Sequence, residues 1–279
     1  MKNIKKIGVI ASIFALALAL LTACGGGSTS GGGEGDADKT IKVAASPTPH
    51  AEILGAASDA LKAEGWTLEV VEFDDYVQPN VATTDGDVDA NYFQHVPYLD
   101  EYNAQNGTNL VSVGGVHYEP MGVYAGTKKS FDELADGDQV GIPNDATNGA
   151  RALLLLQDNG VIKLKDGAGV TATEQDIAEN PKNIKIVPLE AATIPASLPD
   201  LALGVINANY AIGADLKIDE ALATEAADSL AADTYVNVIV VNEENKDSEK
   251  TNALVAALQT DEVRKFIEDT YAGAVQPKF

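Results

Sequence analysis

The sequence predicts an α/β fold made of two lobes, with two crossover strands between them and a cleft where the lobes meet. Short β-rich runs alternate with helical patterns over most of the chain, which indicates βαβ units and mostly parallel sheets. A chain of 279 residues is long enough for two such lobes. Two strand-like stretches, 122–126 and 235–241, divide the chain into segments of unequal length. The two lobes reach similar size only if the C-terminal helices return to the first half.

The strands are predicted from short runs rich in β-branched and other apolar residues. Besides the two crossover stretches, these runs cover residues 41–45, 68–73, 111–113, 139–142, 184–189 and 204–206.

Helices are predicted where apolar residues recur at helical spacing beside a capping residue. The first carries the apolar positions within 53–61. The second is capped by Asn144 or Asp145 and contains four consecutive leucines at 153–156, which indicates a helix buried on more than one side. Thr260 caps a last, amphipathic helix.

The N-terminal 23 residues are typical of a lipoprotein signal peptide. Three lysines precede an apolar stretch of 15 residues, 7–21, which is shorter than the roughly 20 residues of a membrane-spanning helix. Leu21-Thr22-Ala23-Cys24 resembles a lipobox, so we expect the mature chain to begin at a diacylated Cys24. Two acyl chains anchor a protein stably, which predicts a lipid-anchored protein on the extracytoplasmic face of the cell membrane. An uncleaved transmembrane anchor is the alternative.

The remaining chain is divided as follows. The acylated cysteine and a flexible glycine- and serine-rich tether occupy 24–38. We expect the first lobe to comprise 39–123 and 238–279, and the second lobe to comprise 124–237.

Charge and cysteine content restrict the partners. The whole chain carries a formal charge of −23, and removal of the signal peptide with its three lysines leaves −26. So acidic a chain repels nucleic acid, which we exclude as a partner. Because Cys24 is the only cysteine, the fold has no internal disulfide and depends on core packing for its stability.

Two aromatic clusters, each near a strand end or a crossover, are candidates for the wall of the cleft. The first holds Tyr92, Phe93 and His95, and the second holds His117 and Tyr118. Such rings can line an apolar pocket and present polar tips. The alternative is that the rings belong to the core and that His95 is a hydrogen-bonded surface residue.

A third segment places Asn148 and Arg151 near the first turn of the second helix. A basic side chain is unfavourable at a helix N-terminus, so an arginine there is often held by an anion. Its guanidinium group and the free backbone N–H groups suit a carboxylate. A structural salt bridge to one of the many acidic side chains is the alternative.

Asparagines mark the fourth segment. Asn207 and Asn209 follow the strand 204–206, and Asn237 lies between two valines in the second crossover stretch. An asparagine among apolar strand residues either ends the strand or offers its amide to a ligand, such as an ammonium group. A structural turn is the alternative for Asn209.

Together these segments resemble the methionine-binding lipoproteins, the NlpA/MetQ family of substrate-binding proteins that supply ABC importers. The motifs that carry the resemblance follow the family's order along nearly the whole mature chain. They are Asp74-Asp75-Tyr76-Val77-Gln78-Pro79-Asn80, Phe93-Gln94-His95 with Pro97-Tyr98-Leu99, Pro143-Asn144-Asp145 with Asn148 and Arg151, Glu179-Asn180-Pro181-Lys182-Asn183, and Tyr235-Val236-Asn237.

The resemblance implies a type II periplasmic-binding-protein-like fold that closes on its ligand by a hinge motion. It implies methionine as the ligand, with a methionine-containing dipeptide or another apolar amino acid as the alternative. The other implied partners are the permease and ATPase subunits of an ABC transporter. Arg151 would hold the ligand carboxylate, and aromatic residues would surround the side chain. The full implied ligand-binding set is Tyr92, Phe93, His95, Tyr118, Asn148, Arg151, Asn207 and Asn237.

Three other classes of protein are considered. The sequence motifs of a hydrolase elbow, a phosphate loop or a zinc protease helix do not occur, so we assign no catalytic residue and no cofactor. His50, His95 and His117 could converge on zinc in a metal-binding importer component. Such sites usually contain more histidine, so we expect no metal. A surface adhesin or signalling lipoprotein is the third alternative.

Overall fold

The computed structural model describes residues 39–226 and 230–279, which are organised around two main β-sheets. The predicted signal peptide, the acylation site Cys24 and the tether lie outside the described residues. Within the described ranges, no helix has both the length and the apolar character needed to span a membrane.

Short strands and helices alternate along the described residues, as the sequence predicts. The strands are β1 (Thr40–Ala45), β2 (Thr67–Glu72), β3 (Ala90–His95), β4 (Leu110–Tyr118), β5 (Gly122–Ala125), β6 (Gln139–Pro143), β7 (Lys163–Leu164), β8 (Ile177–Glu179), β9 (Lys185–Leu189), β10 (Leu203–Ile206), β11 (Ala223–Thr224), β12 (Val236–Asn242) and β13 (Gln276–Pro277). The helices are α1 (Glu52–Ala63), α2 (Gln78–Asp85), α3 (Val96–Asn106), α4 (Ala146–Asp158), α5 (Ile194–Ser197), α6 (Ala208–Gly213), α7 (Leu230–Thr234), α8 (Glu249–Leu258) and α9 (Asp261–Tyr271).

The first sheet has the strand order β13–β4–β12–β3–β1–β2 and packs against α1, α8 and α9. On α9, Val263, Ile267 and Tyr271 recur every four residues and are buried in this core. Thr260 caps the helix as predicted, because its hydroxyl accepts from the Val263 N–H. Burial of each large apolar side chain contributes roughly 1.5–3 kcal/mol, so the C-terminal helices hold the first lobe together.

The second sheet has the strand order β11–β5–β10–β6–β9 and packs against α4. Leu153, Leu155 and Leu156 are buried and Leu154 is half-buried, so the predicted burial on more than one side is confirmed. Asp145 is the N-cap of α4, since its carboxylate accepts from the Asn148 N–H at 2.9 Å. This cap fixes where the polar first turn of the helix lies.

Each sheet mixes parallel and antiparallel pairs. β1 is parallel to β2 and β3, and β6 is parallel to β9 and β10. β12 is antiparallel to β3 and β4, and β5 is antiparallel to β10. The prediction of mostly parallel sheets is therefore wrong. The strand that follows each chain crossing, β5 or β12, runs antiparallel to its neighbours in the sheet that it enters.

The chain crosses between the sheets twice. It leaves the first sheet after β4, enters the second at β5, and returns to the first at β12. Both crossover stretches therefore form strands, one in each sheet. The lobe limits 39–123 with 238–279 and 124–237 stay a prediction.

One central strand, β3, was not predicted as a strand because half of its side chains are polar. Asn91 and Gln94 are buried and both bond to the Asn80 side chain, at 3.0 and 2.6 Å. A polar side chain can occupy a core position when it is hydrogen-bonded there. The amide network thus removes the apolar signal by which a buried strand is recognised.

We predict opposite effects on stability for two glycine-to-alanine substitutions. Gly126 follows β5, and a Cβ there would lie 2.6 Å from the Leu198 carbonyl oxygen and closer still to that of Leu201. Gly126→Ala should therefore destabilise the protein by about 2–3 kcal/mol. Gly55 is exposed on α1 with no atom near its Cβ position, so Gly55→Ala should stabilise by about 0.5–1 kcal/mol.

The measurement is urea unfolding followed by circular dichroism, with both variants compared with the wild-type protein. Equal midpoints for the two variants would contradict the close backbone approach at Gly126.

Candidate functional site

A cavity lies where the two sheets meet, and side chains from both lobes form its wall. Elements of the first sheet contribute His50, Tyr76, Phe93, Gln94, His95, Tyr98 and Asn237. Elements of the second sheet contribute Asn148, Arg151, Asn207, Ala208 and Asn209, and the first chain crossing contributes Glu119. The enclosed space is about 360 Å³ up to its opening, of which only about 20 Å³ admits the centre of a water molecule. That is the room of roughly one water, so the lobes are closed upon each other.

Arg151 lies on the first turns of α4 and is held from behind by Glu225. Its Nε donates to Glu225 Oε1 at 2.7 Å, and its Nη2 donates to Glu225 Oε2 at 2.5 Å. Nη2 also donates to the Glu119 carbonyl oxygen at 2.7 Å. The guanidinium also lies over the Tyr235 ring, with its central carbon 4.3 Å from the ring centroid, so it is fixed by the protein on several sides.

The Arg151–Glu225 pair stays charged although it is buried. Burial lowers the pKa of Arg151, but the charge and hydrogen bonds of Glu225 raise it by more. Burial raises the pKa of Glu225, and Arg151 together with the Met121 N–H and the Tyr118 hydroxyl lowers it by more. Arg151 therefore forms a structural salt bridge, which is the alternative considered for it in the sequence analysis. It also lines the cavity.

Asn148 links the two lobes below the cavity. Its Oδ1 accepts from His95 Nε2 at 3.2 Å and from Asn207 Nδ2 at 2.9 Å, while its own Nδ2 donates to Asp145. His95 Nδ1 accepts from the Tyr98 N–H, which leaves the ring hydrogen on Nε2. Asn148 is fully engaged, and Asn207 Oδ1 is one of the buried side-chain atoms left without a hydrogen-bond partner in the described part of the chain.

Aromatic rings form the outer part of the cavity. Tyr76 lies 5.9 Å from both Phe93 and Tyr98, measured between ring centroids. The Tyr76 hydroxyl donates to Asn209 Oδ1 at 2.6 Å, and the Tyr210 hydroxyl donates to the Asp74 carbonyl oxygen at 3.1 Å. These two bonds join the lobes at the cavity mouth, as the His95–Asn148 bond does deeper in the cleft.

A polar cluster lies at the inner end of the cavity. His117 Nε2 donates to Glu119 Oε1 at 2.6 Å, and His117 Nδ1 pairs with the Tyr92 hydroxyl. His50 Nε2 lies 2.9 Å from Asn237 Oδ1 and 3.4 Å from Glu119 Oε1. Both of these oxygens accept, so His50 Nε2 carries the ring hydrogen. Asn237 Nδ2 is then left for a ligand, because no described residue accepts from it.

Two histidines of the cavity wall, His50 and His95, are neutral at pH 7, and the Glu119 carboxylate is ionised. Burial lowers the pKa of His50 to about 4. Burial and the Arg151 charge lower the pKa of His95 to about 4. Burial raises the pKa of Glu119, but His50 and the hydrogen bond from His117 lower it by more. At neutral pH the cavity therefore presents one cation, Arg151, and one anion, Glu119.

His50, His117 and Glu119 also place one ligand atom each within 4.8 Å of one another, which is a donor set of the kind that binds zinc. His95, the other histidine considered for zinc, bonds to Asn148 instead. All three ligand atoms of the cluster already take part in hydrogen bonds within the protein. The other ring nitrogen of His50, Nδ1, is buried without a hydrogen-bond partner among the described residues.

The structure brings six of the eight predicted ligand-binding residues to the cavity wall. They are Phe93, His95, Asn148, Arg151, Asn207 and Asn237. Tyr92 is buried in the first core beside His50 and His117, and the Tyr118 hydroxyl donates to Glu225. These two support the wall from behind, and the role of all eight in binding stays a prediction.

Six wall residues that carry polar or aromatic groups are absent from the predicted ligand-binding set: His50, Tyr76, Gln94, Tyr98, Glu119 and Asn209. Tyr76 and Tyr98 lie within motifs that carry the family resemblance, and this was the signal that could have identified them. His50 and Glu119 carry no comparable signal, because only the fold places the loop after β1 beside the first chain crossing.

Two lobes, two chain crossings and a buried cavity between the lobes define a binding protein of the two-lobed, type II class. The comparison with known proteins narrows this class. The chain belongs to the NlpA lipoprotein family, whose model matches residues 41–279. The family resemblance predicted from the sequence is confirmed.

Individual relatives agree with this assignment. A protein from Ruminococcus gnavus described as a lipoprotein is 58% identical, with a TM-score of 0.85 over 86% of this chain and 100% of that one. A nutrient-binding protein from Burkholderia cenocepacia, solved with bound methionine, is 44% identical, with a TM-score of 0.81 over 86% of this chain and 100% of that one. The D-methionine-binding lipoprotein MetQ of Salmonella typhimurium is 49% identical over 212 residues, which are 75% of this chain and 77% of that protein. The family is thus one of substrate-binding lipoproteins, which is not an enzyme class.

We predict that ligand-free protein loses stability as the pH falls from 6.5 towards 4, because of His50 and His95. Their pKa values are about 4 in the folded protein, against 6.5 for the ordinary side chain. In this interval the unfolded chain binds protons that the folded protein does not, so acidification favours unfolding. Each histidine should account for about 1–2 kcal/mol between pH 7 and pH 5.

Urea unfolding at the two pH values checks this, with His50→Gln and His95→Gln as comparison variants. Each variant should lose less stability than the wild-type protein over the interval. An identical pH dependence in all three proteins would contradict neutral buried histidines.

Proposed function

We propose that this chain is a lipid-anchored, extracytoplasmic substrate-binding protein that captures methionine between its lobes and delivers it to an ABC importer. The observation that carries the proposal is the pairing of one buried cation and one buried anion in a single cavity with an aromatic wall. A free amino acid at neutral pH has both charges on adjacent groups. An apolar side chain attached to them suits the aromatic wall.

The carboxylate end of the ligand is assigned to Arg151. Its guanidinium is a buried cation in the cavity wall, and the bonds to Glu225 hold it in place. The Asn237 Nδ2 group is a second donor, because His50 occupies the Asn237 oxygen. Charged donors of this kind form the stronger hydrogen bonds to carboxylates.

The ammonium end is assigned to Glu119 and Asn207. Glu119 is an ionised carboxylate in the wall, and Asn207 Oδ1 is a buried acceptor without a partner among the described residues. A buried, unsatisfied oxygen costs about 1–3 kcal/mol, which a donor on the ligand would recover.

The side chain of the ligand is assigned to Tyr76, Phe93 and Tyr98. A thioether sulfur gains about 0.3–1.5 kcal/mol from each aromatic ring at contact distance. An unbranched side chain also enters a narrow aromatic slot more easily than a β-branched one.

The relatives support methionine in particular. The Burkholderia cenocepacia structure is described as bound to methionine, and the Salmonella typhimurium relative is named for D-methionine. Both enantiomers therefore belong in the first experiment. Transport itself requires permease and ATPase subunits of an ABC transporter, because a tethered binding protein moves nothing across a membrane.

The first prediction under this proposal concerns Phe93. L-methionine should bind the mature protein with one-to-one stoichiometry after the protein has been unfolded and refolded to remove ligand carried through purification. Phe93→Ala should weaken L-methionine by about 10-fold or more, because it removes a ring from around the thioether. It should weaken L-alanine far less, since alanine has no side chain for the ring to enclose.

Calorimetric titration of L-methionine, D-methionine and L-alanine provides the measurement. Phe131→Ala is the matched control, because Phe131 packs in the second lobe away from the cavity. Arg151→Ala is a poorer test, since it leaves Glu225 buried without its partner at a cost of about 3–5 kcal/mol. A folded wild-type protein that binds neither enantiomer would refute methionine as the ligand.

The second prediction concerns Cys24. Cys24→Ser removes the thiol that receives the lipid, so the protein should pass from the membrane fraction to the soluble extracytoplasmic fraction. Cell fractionation followed by immunoblotting measures this, and Thr22→Ser serves as a control that leaves the cysteine in place. Retention of Cys24→Ser in the membrane fraction would favour an uncleaved anchor instead.

A further inference from the structure

A buried chain of hydrogen bonds runs from the core of the first lobe to the cavity. Tyr92 on β3 and His117 on β4 are fully buried, and Glu119 follows two residues after His117. The Tyr92 hydroxyl pairs with His117 Nδ1, and His117 Nε2 lies 2.6 Å from Glu119 Oε1. Glu119 is the member of this chain that reaches the cavity wall.

The direction of each bond follows from the chemistry of its ends. An ionised carboxylate only accepts, so His117 Nε2 carries a hydrogen and donates it to Glu119. His117 Nδ1 is the one partner of the Tyr92 hydroxyl among the described residues, so the hydroxyl donates its hydrogen and Nδ1 accepts it. Burial keeps that hydroxyl protonated, because it raises the pKa of Tyr92 well above the ordinary value.

The polar atoms of the two side chains have no further hydrogen-bond partner in the described structure, although both rings also pack against His50. Within those residues, the Tyr92 hydroxyl bonds only to His117, and the two ring nitrogens of His117 bond only to Tyr92 and Glu119. Buried polar groups are costly unless they are paired. An apolar pair of similar size would fill this part of the core without that cost, so the polar pair is explained by what it does to Glu119.

We propose that Tyr92 and His117 are positioning residues for recognition of the ligand's ammonium group, an inference that rests on the proposed amino-acid ligand. They fix one oxygen of Glu119 and thereby direct the other towards the cavity. The carboxylate then needs no reorganisation when the ammonium group arrives. Tyr92 thus acts on the ligand through two hydrogen bonds and without touching it.

The test compares L-methionine with 4-(methylthio)butanoic acid, which is methionine without its amino group. The dissociation constant of the analogue divided by that of L-methionine measures recognition of the ammonium group alone. Glu119→Gln should lower this ratio by about 10- to 100-fold, because a charged hydrogen bond is lost. Tyr92→Phe should lower it by about 3- to 10-fold, because Glu119 keeps its charge and loses its fixed orientation.

Tyr102→Phe is the matched control. It removes a hydroxyl from the same lobe, in a cluster with Leu99 and Val240 that does not contact Glu119, so its ratio should equal that of the wild-type protein. A Tyr92→Phe variant that weakens both ligands by one common factor has a merely structural role, and the inference fails. A wild-type protein that binds neither ligand removes the amino-acid assignment itself, and the inference falls with it.

A measurement on the unmodified protein covers the case in which Tyr92→Phe does not fold. Nitrogen-15 NMR of the histidine rings distinguishes a ring protonated on Nε2 from one protonated on Nδ1. His117 Nε2 should carry a hydrogen, and Nδ1 should show the shift of a hydrogen-bonded acceptor. A neutral ring with the hydrogen on Nδ1 would overturn the direction of the chain and with it the proposal.

Discussion

The buried ion pair of Arg151 and Glu225 is the interaction on which the rest of the site depends. Through it a helix of the second lobe is joined to the first chain crossing, since Glu225 also accepts from the Tyr118 hydroxyl and the Met121 N–H. Two buried charges are costly to remove from water, and several well-formed hydrogen bonds are needed to offset that cost. Here they also restrict the guanidinium to one orientation. The cation at the cavity is therefore set by the fold before any ligand arrives.

Other polar groups of the cavity wall are likewise hydrogen-bonded within the protein in the absence of a ligand. Asn148 uses its whole amide within the protein, Asn237 gives its oxygen to His50, and Glu119 gives one oxygen to His117. Two buried side-chain atoms of the cavity wall have no hydrogen-bond partner among the described residues, Asn207 Oδ1 and His50 Nδ1. A site that is already oriented loses little conformational entropy on binding, so more of each contact contributes to affinity.

The sequence predicted those parts of the molecule that depend on local pattern. The leucine run and the Asp145 cap located α4, and the cap in turn located Asn148 and Arg151. Prediction from the sequence failed where a residue's environment depends on contacts with distant parts of the chain. Buried amides concealed β3, and Tyr92 is adjacent to Phe93 in sequence while its side chain packs in the core. Glu119 and His50 are 69 residues apart and meet only because the loop after β1 lies beside the chain crossing.

The bonds between Tyr76 and Asn209, Tyr210 and Asp74, and His95 and Asn148 have a kinetic consequence. Four of these residues line the cavity, and each bond joins an element of the first sheet to an element of the second. Separation of the lobes breaks all three hydrogen bonds, and a ligand enclosed between the lobes leaves when they separate. The residence time of a ligand is consequently governed by how often the lobes part, and two ligands of different affinity can share the same slowest step of release.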